Sequence, residues 1–217
     1  EEISFANTSA ASMITNQLAA INALLVAREQ QGLEPSIVER LQQLSNGERI
    51  GTLAITEAVA GSDAAAIETS AVRRGNTYVL NGEKHLISFH GIADDYLVFA
   101  KTDPQARHRG ISVFLVDRKN PGLRLHSPIQ KMGQRGMPTG ALTLIECEVP
   151  LQARIGEEGQ GFYIAMQVLN RMRIAVSAQA VGVARAAYEA AIRYARQRKT
   201  FGKPIGEHQA IAFKLAD

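Results

Sequence analysis

Thr77-Tyr78-Val79-Leu80-Asn81-Gly82-Glu83-Lys84-His85-Leu86-Ile87-Ser88 is the stretch from which the fold class is read. Two short apolar runs flank Asn81-Gly82, and both residues of that dipeptide tolerate the positive φ of a type I′ turn, so the expected local structure is a hairpin of residues 77–80 and 84–88. Outward from it, similar short runs occupy residues 50–56, 96–101, 111–117, 123–129 and 141–149, separated by Gly, Asn, Asp and Pro. Seven short strands with no helix between them predict an antiparallel β-barrel or sandwich.

The period changes on both sides of this region. Residues 8–28 place Met13, Leu18, Ile21, Leu24 and Leu25 at helical spacing, and residues 36–44 repeat the pattern after Gly32 and Pro35. From Gly161 to Lys199 the helical period returns, with Phe162, Ala165, Val168 or Leu169, Met172, Val176 and Gln179 on one side. Ala178, Gly182, Ala186 and Ala190 form a row of small residues that lets another helix approach closely. Arg185, Glu189 and Arg193 suit a solvent face, while Arg193, Arg196, Arg198 and Lys199 suit the negative end of the helix dipole. Thr200-Phe201-Gly202-Lys203-Pro204 breaks the helix and residues 205–217 begin another without a stop signal, the expectation for a chain cut within a larger fold. The expected organisation is a helical remnant at 1–46, a β-rich middle domain at 47–155 and the beginning of a helical bundle at 156–217.

Composition narrows the function classes. With 217 residues, 46% of them hydrophobic, the chain can bury a substantial core. No apolar run is read as reaching the roughly 18 residues of a membrane span, since Asn22 interrupts residues 18–27, and the first residues lack the basic flank of a signal peptide. One cysteine, Cys147, excludes an internal disulfide framework and fits a reducing compartment. The net charge of +3 is dispersed, without a basic run interleaved with aromatics, so nucleic acid is not an expected partner. His85, His90, His108, His126 and His208 show no metal-ligand spacing and are read as surface or packing histidines.

No GxSxG, Walker lysine or strand-borne GxGxxG is present, and Gly156-Glu157-Glu158-Gly159-Gln160-Gly161 reads as the entry to the long helix. What remains is an ordered set of segments: Thr56-Glu57-Ala58-Val59-Ala60-Gly61-Ser62-Asp63, Asn81-Gly82-Glu83-Lys84-His85-Leu86-Ile87-Ser88, Gly133-Gln134-Arg135-Gly136, Gly159-Gln160-Gly161-Phe162, and Arg198-Lys199-Thr200-Phe201-Gly202-Lys203-Pro204-Ile205 with Glu207-His208-Gln209-Ala210-Ile211. In order and spacing these resemble the acyl-CoA dehydrogenases from Gly47 onward; the first 46 residues resemble the end of that family's helical N-terminal domain.

The resemblance implies an FAD-dependent α,β-dehydrogenation of an acyl-CoA. It implies that Leu53, Ile55 and Thr56 lie along the flavin ring, where backbone amides and a hydroxyl meet its polar edge and aliphatic groups cover its face; on pattern alone, Leu53 and Ile55 are core and Thr56 ends a strand. Leu86, Ile87 and Ser88 match an aromatic-Ile-Thr stretch beside the ring's reactive nitrogen, with leucine and serine as departures. Ser62 matches a contact to flavin and to the pantetheine arm, or else caps a turn; the Pro-Gly that precedes it in the family is Ala58-Val59 here. Asn170 and Arg173 match positions that meet the CoA part of the substrate, although Asn170 replaces a frequent acid and Arg173 also reads as a helix-surface arginine.

Arg198, Thr200, Phe201, His208 and Gln209 match a segment that crosses a dimer interface to the partner's FAD, with the arginine fork at the pyrophosphate; by spacing alone Arg198 is a helix-terminal charge. The expected partners are an acyl-CoA, electron-transfer flavoprotein or another acceptor, and further copies in a homodimer or homotetramer, in the cytoplasm or a mitochondrial matrix. The catalytic glutamate is expected beyond Asp217, because the alternative position on the long helix is Met172, which cannot accept a proton. Two other readings stand beside this one: a flavin oxidase or monooxygenase on the same scaffold, and a non-catalytic fragment that dimerises through its helices.

Overall fold

The computed structural model describes residues 1–217, the side chain of Gln31 excepted. Its elements run α1 (Glu2–Ala6), α2 (Thr8–Gln31), α3 (Pro35–Ser45), β1 (Gly51–Ala54), β2 (Ser70–Arg74), β3 (Thr77–Ser88), β4 (Asp95–Lys101), β5 (Ile111–Asp117), β6 (Leu123–Leu125), β7 (Thr139–Pro150), β8 (Arg154–Ile155), α4 (Gly161–Gln197), β9 (Lys199–Thr200), β10 (Lys203–Pro204) and α5 (Gln209–Ala216). The mixed class stands: helices flank a sheet-containing middle region.

The sheet is open rather than closed. Its order is β6-β7-β3-β2-β4-β5-β8, with β1 on β4. It is also not wholly antiparallel, because β1 runs parallel to β4 from Gly51↔Asp95 to Ala54↔Val98, and Ser70 of β2 pairs in parallel with Lys101. One edge of β4 thus holds β1 along its first half and β2 at its end. Side chains alternate across β4: Tyr96, Val98 and Ala100 join an apolar cluster with the inner faces of β2, β3, β5, β6 and β7, while Leu97 and Phe99 join a second cluster with α2, α3 and α4. Burial on both faces explains why β4 reads as an unbroken apolar run.

The expected hairpin at Asn81-Gly82 is corrected. Residues 77–88 form one strand, β3, paired with β7 along its length, and Asn81-Gly82 lies at a register shift between Leu80 and Gly82. Gly82 is required there for space: a Cβ would stand 2.5 Å from Thr69 Oγ1 and 2.7 Å from Thr69 Cα. The actual turn is Gly75-Asn76, joining β2, which the sequence reading missed, to the first half of β3; Gly75 has φ of 60°. Strands β1 and β6 are shorter than expected, and α1 was not foreseen.

At the entry to β1, Arg49 grips the buried Asp95 with two hydrogen bonds, Nε to Oδ2 at 2.7 Å and a terminal nitrogen to Oδ1 at 3.0 Å, and reaches Asp117 at 2.8 Å. Burial pushes the Asp95 carboxyl up, against the pull of Arg49. This fork ties the chain leaving α3 to the ends of β4 and β5.

The membrane expectation also needs correction, because α2 is long and apolar enough to span a bilayer by length and composition. In the fold its apolar residues Ala20, Ala23, Leu24, Val26 and Ala27 are buried in the second cluster. The small-residue row on α4 does receive a helix: α1 crosses at Gly182, where a Cβ would meet Glu1 O at 2.4 Å and Phe5 N at 3.0 Å. Ser4 Oγ donates to Gln179 O, and the Arg185 guanidinium, read from sequence as solvent-facing, covers the Phe5 ring at 4.5 Å and pairs with Glu1 and Glu2. Gly182→Leu is therefore expected to displace α1, costing about 1–3 kcal/mol in denaturant unfolding and speeding amide exchange through Glu2–Ala6. Gly133→Ala, at a position with nothing within 4 Å of an added Cβ, serves as the control and should change neither.

Candidate functional site

Two of the segments singled out in the sequence, 56–63 and 81–88, meet at one buried carboxylate, which residues 68 and 69 also reach. Just beyond β1, Glu57 accepts from Glu68 N at 2.6 Å, Thr69 N at 3.0 Å, Thr69 Oγ1 at 2.5 Å and Lys84 Nζ at 2.7 Å. Lys84, fully buried in β3, gives a second hydrogen bond to Ile55 O at 3.0 Å. The next residue continues the clamp, with His85 N donating to Thr56 O at 2.8 Å. The strand end at 53–56 is thereby held against the strand stretch at 84–88. Glu57 also closes the loop of residues 58–68, on which Ser62 is exposed.

Burial favours a neutral Glu57, but the Lys84 charge and its hydrogen bond, with those from Thr69 and Glu68, outweigh it and hold the carboxyl below the usual glutamate range. Burial pulls the Lys84 ammonium down to about 8 against the restoring pull of Glu57, so it remains largely protonated at neutral pH. Neither residue was singled out as a ligand-site residue from sequence. The sequence carried no local signal, since Lys84 stands among Asn81, Gly82, Glu83 and His85 as a surface lysine would; its need of a counter-ion arises only because β3 turns it inward.

Immediately after this clamp the backbone is strained. Leu86 has φ of 58° and Phe89 of 54°, left-handed values that L residues adopt sparingly, and Leu86 lies in the register shift between Lys84, paired with Leu142, and Ile87, paired with Gly140. Ile87 is buried, while the Leu86 side chain is 62% exposed. Leu53, Ile55, Thr56 and Ser88 are half-buried. Among the described residues, the hydroxyls of Thr56, Ser62 and Ser88 have no side-chain hydrogen-bond partner, so the capping role open to Ser62 is not taken up. Leu53 and Ile55 pack against the second apolar cluster, so the part left open around this strained backbone is the exposed Leu86 with half-buried Thr56 and Ser88.

Asn170 and Arg173 are exposed on α4, and Met172 between them packs half-buried against the second apolar cluster. A second group forms where α4 ends. Thr200 Oγ1 and His208 Nε2 lie 3.0 Å apart, the His208 and Phe201 rings meet edge-on at 6.0 Å, and Phe201, with φ of 50°, is 96% exposed. Arg198 and Gln209 are exposed beside them. At 1.5 Å per residue the 37 residues of α4 extend about 55 Å, and its other end packs on β5 through Gly161. The fold thus gathers Thr200, Phe201 and His208, but sets them far along α4 from the end that rests on the sheet.

No group of three potential metal ligands occurs among the described residues. His90 is buried against Gly140, its Nε2 2.6 Å from His126 O, and His108 packs on Phe162. Cys147 is buried and its thiol pushed up to about 11 by desolvation, which leaves it unreactive at neutral pH.

Removing one member of the buried pair has a defined cost. Glu57→Gln leaves the Lys84 ammonium without its counter-ion and should lower unfolding free energy by about 3–5 kcal/mol, part of which Lys84→Met in the same chain recovers. Because the folded Glu57 pKa lies below its ordinary value of 4.5, its stabilisation is complete above that pH and is lost as pH falls through the folded value. The Glu57→Gln variant should accordingly lose less stability on acidification than wild type, measured by urea unfolding across that range.

Residues 52–147 match the family model described as acyl-CoA dehydrogenase, middle domain, and residues 159–217 the model described as acyl-CoA dehydrogenase, C-terminal domain. The chain is 42% identical over 186 residues to an acyl-CoA dehydrogenase of Bacillus subtilis, covering 86% of this chain and 49% of the relative. It is 41% identical over 186 residues to the CarC subunit of a caffeyl-CoA reductase-Etf complex of Acetobacterium woodii, with the same coverage of 86% and 49%. Butyryl-CoA dehydrogenase from Megasphaera elsdenii superposes with a TM-score of 0.92 at 37% identity, covering 100% of this chain and 56% of that one. The chain therefore spans about half the length of these relatives, and over that span both its sequence and its fold are theirs: it belongs to the acyl-CoA dehydrogenase family.

Proposed function

We propose that this chain is the flavin- and acyl-CoA-binding part of an enzyme that removes hydrogen from the α and β carbons of an acyl-CoA thioester. The observation that carries the reading is the junction of the strand end at 53–56 with the strand stretch at 84–88, made by the His85 N to Thr56 O and Lys84 Nζ to Ile55 O hydrogen bonds, with Leu53, Ile55, Thr56 and Ser88 half-buried and Leu86 exposed around it. Such a junction fits the polar edge and apolar face of an isoalloxazine, so the residues present suit FAD. When bound, FAD supplies a hydride acceptor for the β-hydrogen. Ser62, Asn170 and Arg173 are assigned to the acyl-CoA. Arg198, Thr200, Phe201, His208 and Gln209, set far along α4, are assigned to the FAD of a second copy, which makes the working unit a homodimer or a homotetramer. Electron-transfer flavoprotein is the proposed acceptor, and the cytoplasm or a mitochondrial matrix the proposed location.

No base for the α-proton is assigned within the chain. Glu57 is occupied by four donors, and the helix position before Arg173 is Met172. The proton is then taken by a carboxylate outside residues 1–217, and the 217-residue chain alone should turn over at least about 10²-fold more slowly per bound flavin than the whole protein.

The whole protein should be yellow when purified or reconstituted, and an acyl-CoA should bleach its flavin bands in the absence of oxygen. Protein that stays colourless with excess FAD overturns the assignment. Flavin that is bound but bleached by no acyl-CoA transfers it to an oxidase or monooxygenase on the same scaffold. Within this reading Arg198→Ala should weaken FAD retention by about 1.5–3 kcal/mol, as for a lost charge-assisted hydrogen bond, while Arg193→Ala should leave it unchanged. Equal affinity in both, measured by flavin fluorescence titration, removes Arg198 from the site.

A further inference from the structure

We propose that the buried Glu57–Lys84 pair is the positioning hub of the ligand site: it fixes the strand end at 53–56, the loop that carries Ser62 and the bulge that carries Leu86, and so sets the spacing of all three. The proposal rests on the reading of those segments as a flavin and acyl-CoA site. Neither residue is itself available to a ligand, since both side chains are buried, so theirs is a positioning role.

The geometry requires a carboxylate at this place. Two backbone amides, a hydroxyl and an ammonium all donate to residue 57, which uses both carboxylate oxygens, Oε2 for Glu68 N and Oε1 for the other three. An amide there presents one oxygen and turns an N–H₂ toward donors of which only the Thr69 hydroxyl can also accept. The donors come from two parts of the site. Glu68 and Thr69 close the loop bearing Ser62, and Lys84 belongs to β3, through which it also holds Ile55 O while His85 N holds Thr56 O.

Leu86 shows what the hub accomplishes. A left-handed leucine persists only where the surrounding structure over-determines it, and Leu86 has Lys84 locked two residues before it and the buried Ile87 paired with Gly140 immediately after. Released from Lys84, residues 85–86 can relax toward ordinary strand geometry, which redirects the exposed Leu86 side chain and parts Thr56 from His85.

The test uses the whole protein with Lys84→Met. In that variant Glu57 keeps three of its four donors, so the loop stays closed and the fold survives. Amide exchange at His85 should then accelerate, the FAD dissociation constant should rise about tenfold, and the visible circular dichroism of bound flavin should change, in keeping with the loss of one buried hydrogen-bonded tie. Cys147→Ala, which opens a core void on β7, should leave all three unchanged. If Lys84→Met fails to fold, the neutral pair Glu57→Gln/Lys84→Met is measured in its place with the same expectations. Wild-type exchange at His85 overturns the hub; so does accelerated exchange with unchanged flavin affinity and dichroism, since the pair would then be a core contact that does not reach the ligand. Colourless wild-type protein with excess FAD is a failure of the flavin reading instead, and exchange confined to residues 55–57, 68–69 and 84–87 then decides the hub by itself.

Discussion

An ammonium group with no access to water must find a negative charge and enough acceptors to replace its hydration, and the middle of this protein is organised around how Lys84 meets that demand. Its partner Glu57 stands three residues past β1 and lies 27 residues from Lys84 in sequence. Making the pair commits the chain to several things at once: the end of β1 lies beside β3, the loop 58–68 closes on itself, and β3 bulges to bring Lys84 inward. A hydrophobic substitute at either position could fill the same volume, but it would not reach two backbone amides, a hydroxyl and a carbonyl. The candidate site is arranged around that reach.

The sheet that presents the site is stabilised from both sides. Inner-face residues of β2 to β7 close over one apolar cluster, and the opposite faces of β4 and β5 rest on α2, α3 and α4. The Arg49 fork on Asp95 and Asp117 pins the entry to β1 against the same two strands. The strand end that carries Leu53, Ile55 and Thr56 is therefore braced by β4 on one side and by the Lys84 clamp on the other, while its last residues remain half-buried. A rigid frame with an open rim is what a preorganised ligand site requires.

Helix α4 has a different character along its length. Gly161, Ile164, Ala165 and Val168 are buried against the sheet and α2, whereas beyond Gly182 Ala195 is the buried residue of the last turns. Val181, Tyr188 and Tyr194 of that half and Phe213 of α5 are exposed apolar side chains. The first half of the helix is core and the second half projects the Arg198–Gln209 segment away from the sheet, which is why groups that the resemblance places around one cofactor stand far apart in a single chain.

Sequence by itself determined the sequence of architectures, from helices to sheet to long helix, because a 3.6-residue period and short turn-bounded runs are local properties: α2, α3 and α4 fall within a few residues of where their patterns place them. It also identified the family, since several weak motifs in fixed order are jointly specific. Only the tertiary structure decided how those segments meet. The Asn81-Gly82 dipeptide has the local chemistry of a turn, yet β7 pairs across it and Thr69 packs on Gly82, so long-range pairing overrode local preference. In the same way, Glu57 and Lys84 are ordinary charged residues in a list of letters. Burial, and the convergence on one carboxylate of donors from residues 68–69 and from Lys84, makes them a pair, because desolvation and hydrogen-bond geometry exist only once the chain has folded.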